Sequence, residues 1–423
     1  DESMSAFHIA RLGCSGVLAV VLWMSSFLNA QAEPLTFARA QTLAERMAPE
    51  NIARQAQVES AQQAVLPSDA LPDPKLILGV DNLPIEGPDR YSLNRDFMTM
   101  RRIGLMQEMP NSHKRQARRQ LAEATVTRAE AEQRAMVLET KRQTALSWLD
   151  VYYAERRVEL FSELDEQITL LRSAIQALIA GNSARSSELL QADQEALTLE
   201  DRRDELDRDV AIARATLRRW VGDDASQPLA GTPPALSLEV PHLQHRLGEH
   251  PDLRAAAARV GEANAELAEA VSEKKPDWGV EFAYNNRDNQ FGDMVMVQFT
   301  FDLPMFVGTR QGPKINAKQH SVAQVEAEQE VLLRTHQAEL ESGLAELAQL
   351  RKMLIRTEQH LIPLSSKRVD LELAAYKAGN SQLAAVINAR RDLIEAQLRK
   401  IDQQRQLSQL SASLYYAYVE GLK

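Results

Sequence analysis

The sequence predicts an α+β membrane protein built by internal duplication. Each half carries one β-hairpin of the membrane-barrel kind and long helices of the coiled-coil kind. Three observations predict this. The tetrapeptide Ala-Gly-Asn-Ser occurs at residues 180–183 and again at 378–381. Residues 114–180 contain no Gly or Pro, so nothing interrupts a helix there. Between Pro72 and Pro110, and between Pro276 and Pro304, the apolar period shortens to two, the spacing of a strand with unlike faces.

Ahead of the first half, residues 1–32 read as a signal peptide. His8 and Arg11 precede an apolar run over 17–28, and Ala30-Gln31-Ala32 supplies an A-x-A cleavage site. The run is too short for a comfortable membrane helix. Cys14 precedes it, whereas a lipidated cysteine follows such a run. As the single cysteine of the chain, it can form no intrachain disulfide. The net charge of −10 argues against a nucleic-acid partner, which calls for a basic face.

The two halves align as residues 33–222 and 236–421, joined by a Pro/Gly-rich linker over 223–235. "LTFARAQTLAERMAPE" from Leu35 matches "LSLEVPHLQHRLGEHPD" from Leu236, which sets Pro49 opposite Pro251. "MQEMP" ending at Pro110 matches "FDLP" ending at Pro304, and "LLQADQEAL" matches "VINARRDLI" after the two tips.

Long helices are expected over 113–221 and 314–420. A continuous helix over 114–180 would span about 100 Å. Apolar residues at three-and-four spacing, such as Leu160, Leu164, Ile168, Leu171, Ile175 and Leu178, form a stripe that must pack on partner helices. In the second half only Gly343 and Pro363 interrupt residues 314–378. A Gly at a helix end adopts the left-handed conformation that stops it, and Asn and Ser cap the next helix. Ala-Gly-Asn-Ser therefore reads as the tip of a helical hairpin, made twice.

The strands are expected within hairpins at about 75–109 and 277–303, with polar loops at 82–96 and 285–293. Val295, Val297, Phe299, Phe301 and Leu303 share one face, and Met294, Met296, Gln298, Thr300 and Asp302 the other. Trp278, Val280, Phe282 and Tyr284 alternate likewise, as do Leu76, Leu78 and Val80, with Ile103 and Leu105 on the second strand. Four strands cannot close a barrel, and lipid does not tolerate open edges. Bacterial barrels need at least eight strands; three copies of this chain would supply twelve. A small soluble sheet packed on the helices is the alternative this pattern leaves open.

At this point the chain resembles the TolC-like outer-membrane efflux proteins over about residues 33–421. The likeness rests on the duplicated hairpin-plus-helix plan, the two Ala-Gly-Asn-Ser tips followed by "LLQA" and "INA", and the strand-to-helix prolines Pro110 and Pro304. "DNLPIEGPDR" from Asp81 and "FMTMRRIGLMQEMP" from Phe97 resemble the heavy-metal cation branch. The resemblance implies a homotrimer, with a twelve-stranded barrel in outer-membrane lipid, four strands per chain, continued by a periplasmic α-helical barrel. It implies docking onto a periplasmic adaptor (membrane fusion) protein and a proton-driven inner-membrane pump. A drug-efflux or type I secretion channel would share this plan. A periplasmic coiled-coil adaptor would not explain two symmetric amphipathic hairpins.

The resemblance also nominates residues. The adaptor-binding tips are Gly181, Asn182, Ser183 and Arg185, with Gly379, Asn380 and Ser381. The periplasmic aperture leans on Glu188, because Gln191, Ala385 and Asn388 stand where further acidic residues are expected. The duplicated hairpins place Met100, Arg102, Met294, Met296 and Asp302 on the lumen face. Thioethers suit Cu(I) or Ag(I), although filling irregular space is the plainer role of Met. His242, His245 and His250 form the one histidine cluster in the sequence; capping or surface roles fit them, and no resident metal or cofactor is expected. No Ser-His-Asp set, phosphate loop or zinc-protease motif is visible, so an enzyme is not expected.

Overall fold

The computed structural model describes residues 33–180, 186–236, 238 and 246–420. The expected signal peptide and first tip, with Gly181, Asn182, Ser183 and Arg185, lie outside the described residues. So do His242 and His245.

The first half runs β1 (Leu35–Thr36), α1 (Phe37–Met47), α2 (Pro49–Ser68), β2 (Lys75–Asp81), β3 (Met100–Met109), α3 (Ser112–Ala180) and α4 (Ser186–Val221). A 3₁₀ turn (Gly222–Ser226) and β4 (Leu229–Ala230) lead onward. The second half contains α5 (Pro251–Ser272), β5 (Trp278–Asn286), β6 (Met294–Phe301), α6 (Gln311–Arg356), α7 (Ile362–Lys377) and α8 (Leu383–Leu414). Pro49 and Pro251, matched in the sequence, both open a helix, where a missing N–H costs nothing.

α3 has 69 residues, roughly 100 Å of helix, and packs against α1, α2, α4, α5 and α8. Near its middle the indole of Trp148 is fully buried. Its Nε1–H donates to Leu35 O at 3.1 Å, and its ring meets Phe37 edge-on and stacks on Tyr152. The stretch joining the halves is tied in here: Ala225 is buried, and β4 pairs in parallel with β1 through Leu229 and Leu35. Nearer the sheet, buried Glu132 of α3 holds Arg54 of α2 at 2.9 Å, Arg128 at 3.2 Å and Arg259 of α5 at 2.9 Å. One carboxylate thus fastens the two corresponding short helices to the same long one.

Pro363 does not end its helix. Its missing N–H and bulky ring disturb the preceding turn, and the backbone widens into a π turn over Thr357–Leu361, where Ile362 N–H reaches back to Thr357 O. α6 and α7 are therefore one bent column.

The four long strands form one antiparallel sheet in the order β2-β3-β5-β6. The halves join where β3 pairs β5, from Arg101 opposite Asn286 to Met109 opposite Trp278. The second loop begins at residue 287 rather than 285, because Asn285 and Asn286 still pair with Arg102 and Arg101. The first loop runs to residue 99. The alternating faces separate as the period predicts. Leu78 is 68%, Val295 75% and Phe299 58% exposed on the apolar face, whereas Gly104, Glu281, Ala283 and Asn285 on the other are buried. Among the described residues the apolar face packs on no helix, unlike the soluble-sheet alternative. β2 and β6 each leave one edge unpaired among the described residues.

Candidate functional site

The described tip ends α7 with a complete Schellman turn. Gly379 takes φ +74°, its N–H bonds Tyr376 O at 3.0 Å, and Asn380 N–H bonds Ala375 O at 2.9 Å. A side chain at Gly379 would be strained by this left-handed backbone. Capping differs from the expectation. Gln382, not Asn380 or Ser381, is the N-cap of α8, and its side chain makes no capping bond. Ser381 Oγ instead donates to Glu372 Oε2 at 2.9 Å, one turn back on α7, which closes the tip on itself. Gly379 and Asn380 remain exposed, with backbone groups available to a partner.

Behind the tips, α4 and α8 pack through Leu199, Leu206, Ile394 and Leu398. Buried Glu195 of α4 accepts from the Arg391 guanidinium of α8, with Nε at 3.3 Å. This link between the hairpins had no signal in the sequence, because its partners stand far apart in the chain. Glu188 lies in the first turn of α4; its side chain is outside the described set. Asn388 is exposed and Ala385 half-buried.

On the sheet, Met100, Arg102, Met294 and Met296 do share one face, by the strand registers. Met106, which the sequence reading missed, and Glu281 share it too. The Arg102 guanidinium pairs with Glu281 across the β3–β5 seam and reaches Asp81 at 3.7 Å. Gly104 keeps this seam open, since a Cβ there would stand 2.9 Å from Glu281 Oε1 and 3.0 Å from Ala283 Cβ. Lys75 pairs with Glu108. This face carries carboxylates of Asp81, Glu108, Glu281 and, just beyond β6, Asp302, against the two cations Lys75 and Arg102. Its excess charge is negative, which favours cations in a narrow lumen.

Where sheet meets helix, Asp277 is the fixed point. Its carboxylate accepts Asn111 N–H at 2.8 Å and Lys114 Nζ at 2.7 Å. Asn111 Oδ1 in turn caps α3 through Lys114 N–H at 2.9 Å. Burial pushes the Asp277 carboxyl up, but the Lys114 and Asn111 bonds outweigh it and hold it below the usual range. Asp302 N–H donates to Asp277 O at 2.8 Å, so both hairpins end on one residue.

Comparison with known proteins gives three kinds of finding. Residues 243–418 match the family model described as outer membrane efflux protein. No curated protein matches the chain. Among solved structures, a membrane protein from Pseudomonas aeruginosa superposes with a TM-score of 0.78 at 16% identity, covering 90% of each chain. CusC, solved in work on folding and transmembrane channel formation, gives 0.76 at 17% identity over 90% of this chain and 91% of that one. The Campylobacter jejuni CmeC outer membrane channel gives 0.78 at 13% identity over 91% and 86%.

Proposed function

We propose that the chain is an outer membrane efflux protein, as the family match over residues 243–418 supports, and that three copies form a channel from the outer membrane into the periplasm. One observation carries this reading: a four-stranded sheet with an exposed apolar face and two unpaired edges, β2 and β6. Lipid covers such a face, and another copy pairs each edge. Three copies give twelve strands, within the range of membrane barrels. Tyr284 near the loops, with Trp278 and Phe301 at the helix end of the sheet, fit aromatic girdles at the two interfaces. The helices continue the channel away from the membrane and end in the tip at Gly379.

The tips then dock onto a periplasmic adaptor coupled to a proton-driven inner-membrane pump. The channel conducts and does no chemistry. The proposed cargo is heavy-metal cations, supported by the negative lumen face and by the resemblance of "DNLPIEGPDR" and "FMTMRRIGLMQEMP" to the metal branch. The methionines bind no ion tightly in this reading, since tight binding would slow transit.

Two measurements test it. Mass in detergent by light scattering should give three chains; a single chain of 47.3 kDa or less would overturn the assembly. Deletion in the native cell should sensitise it to metal cations. Sensitivity to drugs alone would keep the channel and reject the cargo.

A further inference from the structure

Four elements of the helical body meet at a cavity of about 310 Å³, lined by Arg142 of α3 and by Asp252, His336, Glu339 and Tyr418 among others. His250 and Asp252 stand at the start of α5, His336 on α6, and Tyr418 in the π turn that follows α8. The imidazoles are 3% and 8% exposed, and their ring centroids are 4.3 Å apart. Asp252 Oδ2 lies 3.8 Å from His250 Nδ1 and 3.6 Å from His336 Nε2. His336 Nε2 is buried and makes no hydrogen bond among the described residues.

We propose that His250, Asp252 and His336 form a binding site for a divalent transition-metal ion of the zinc class. Two imidazole nitrogens and one carboxylate oxygen are donors that suit zinc and its neighbours. A tetrahedral zinc ion holds such donors about 3.3 Å apart, and both separations from the carboxylate lie within half an ångström or so of that value. The remaining donor pair lies within 4.8 Å, so small side-chain rotations into the cavity close the set. A hydrogen bond already orients one of these imidazoles from behind. His336 Nδ1 lies 3.2 Å from the Tyr418 hydroxyl, which itself donates to His336 O at 3.3 Å. This leaves Nε2 as the ligating nitrogen of His336. His250 Nδ1 now accepts Asp252 N–H at 3.1 Å, a helix cap that the ion displaces. Asp252 is half exposed, giving an ion a way in, and water fills the open position. The site would clamp α5 to α6 at the turn that ends the chain's last helix. Its test reads ion binding to the purified protein and is independent of the cargo.

The test uses the full-length trimer in detergent, purified without a polyhistidine tag and stripped by a chelator. Titration with Co(II) should give ligand-field absorption saturating at one ion per chain, and Zn(II) should bleach it. Asp252→Asn and His336→Gln should each weaken binding at least tenfold, while His360→Gln, an exposed histidine elsewhere on the helices, should change nothing. Zn(II) should also raise the melting temperature of the wild type and not of Asp252→Asn, checked by circular dichroism to be folded. Absence of Co(II) bands in the wild type overturns the proposal. So do bands that survive in both folded variants.

Discussion

Replacing Val297 by Arg should disrupt the barrel, whereas the same change one residue later should not. β6 has eight residues, about 27 Å of strand at 3.4 Å per residue. A tilt of about 35–45° leaves roughly 20 Å of height, against an apolar band of about 25 Å. Val297 is the fourth residue of β6, near mid-height, and half exposed on the apolar face. An arginine there costs about 2–4 kcal/mol per chain, with three such sites in a trimer. Phe299, two residues nearer the end of the strand, should cost less. Gln298 points the other way, opposite Glu281, so Gln298→Arg meets water and a carboxylate and should change stability by less than about 1 kcal/mol. Urea titration of refolding into lipid vesicles, read by the gel mobility of folded trimer, measures all three. Equal losses for Val297→Arg and Gln298→Arg would refute the assignment of faces and the lipid contact derived from it.

Gly379→Val forces a β-branched residue to φ +74° and should abolish crosslinking to the periplasmic adaptor while leaving trimer and insertion intact; unaltered crosslinking of the double valine variant at Gly181 and Gly379 would remove the tips as docking points. Glu188→Gln should lower cation selectivity in single-channel recordings and Glu188→Arg should lower it further or reverse it, with identical traces counting against an aperture role. Glu132→Gln leaves three arginines around an uncharged amide and should cost about 3 kcal/mol. Arginine contacts outweigh burial and hold the folded Glu132 carboxyl below 4.5. Its contribution is therefore complete above that pH and lost as pH falls through the lower folded value. The melting-temperature gap between wild type and Glu132→Gln should narrow on acidification below 4.5 and stay constant above it.

The sequence exposed what local periodicity determines. Period two over residues 294–303 identified both the strand and its exposed apolar side, and the Gly of the second tip identified a left-handed helix stop, because neither depends on distant partners. What it hid depends on choices made in space. Asn380 and Ser381 looked like caps, but Ser381 finds Glu372 within its own hairpin, and the next helix starts without a side-chain cap. Pro363 looked like a break; a widened turn absorbed it. Met106 has the same parity as Met100 along β3 and was legible but overlooked. Glu281, Asp277 and His336 gain meaning only from Arg102, Asn111 and Asp252, residues remote in the chain that the folded helices and seam bring to them.

The two bare edges of the sheet also fix how such a channel can be made. The helices of one chain already share buried apolar clusters, but its strands meet lipid without penalty only once a neighbour covers β2 and another covers β6. Insertion should therefore be a high-order reaction in chain concentration, slow when export is sparse and steeply faster when it is abundant. The same arithmetic makes a defective edge poisonous in mixtures. With normal and faulty chains exported in equal amounts, random assembly leaves roughly one trimer in eight free of the fault, so a proline in β6 should act as a dominant inhibitor of efflux in cells that still hold an intact gene.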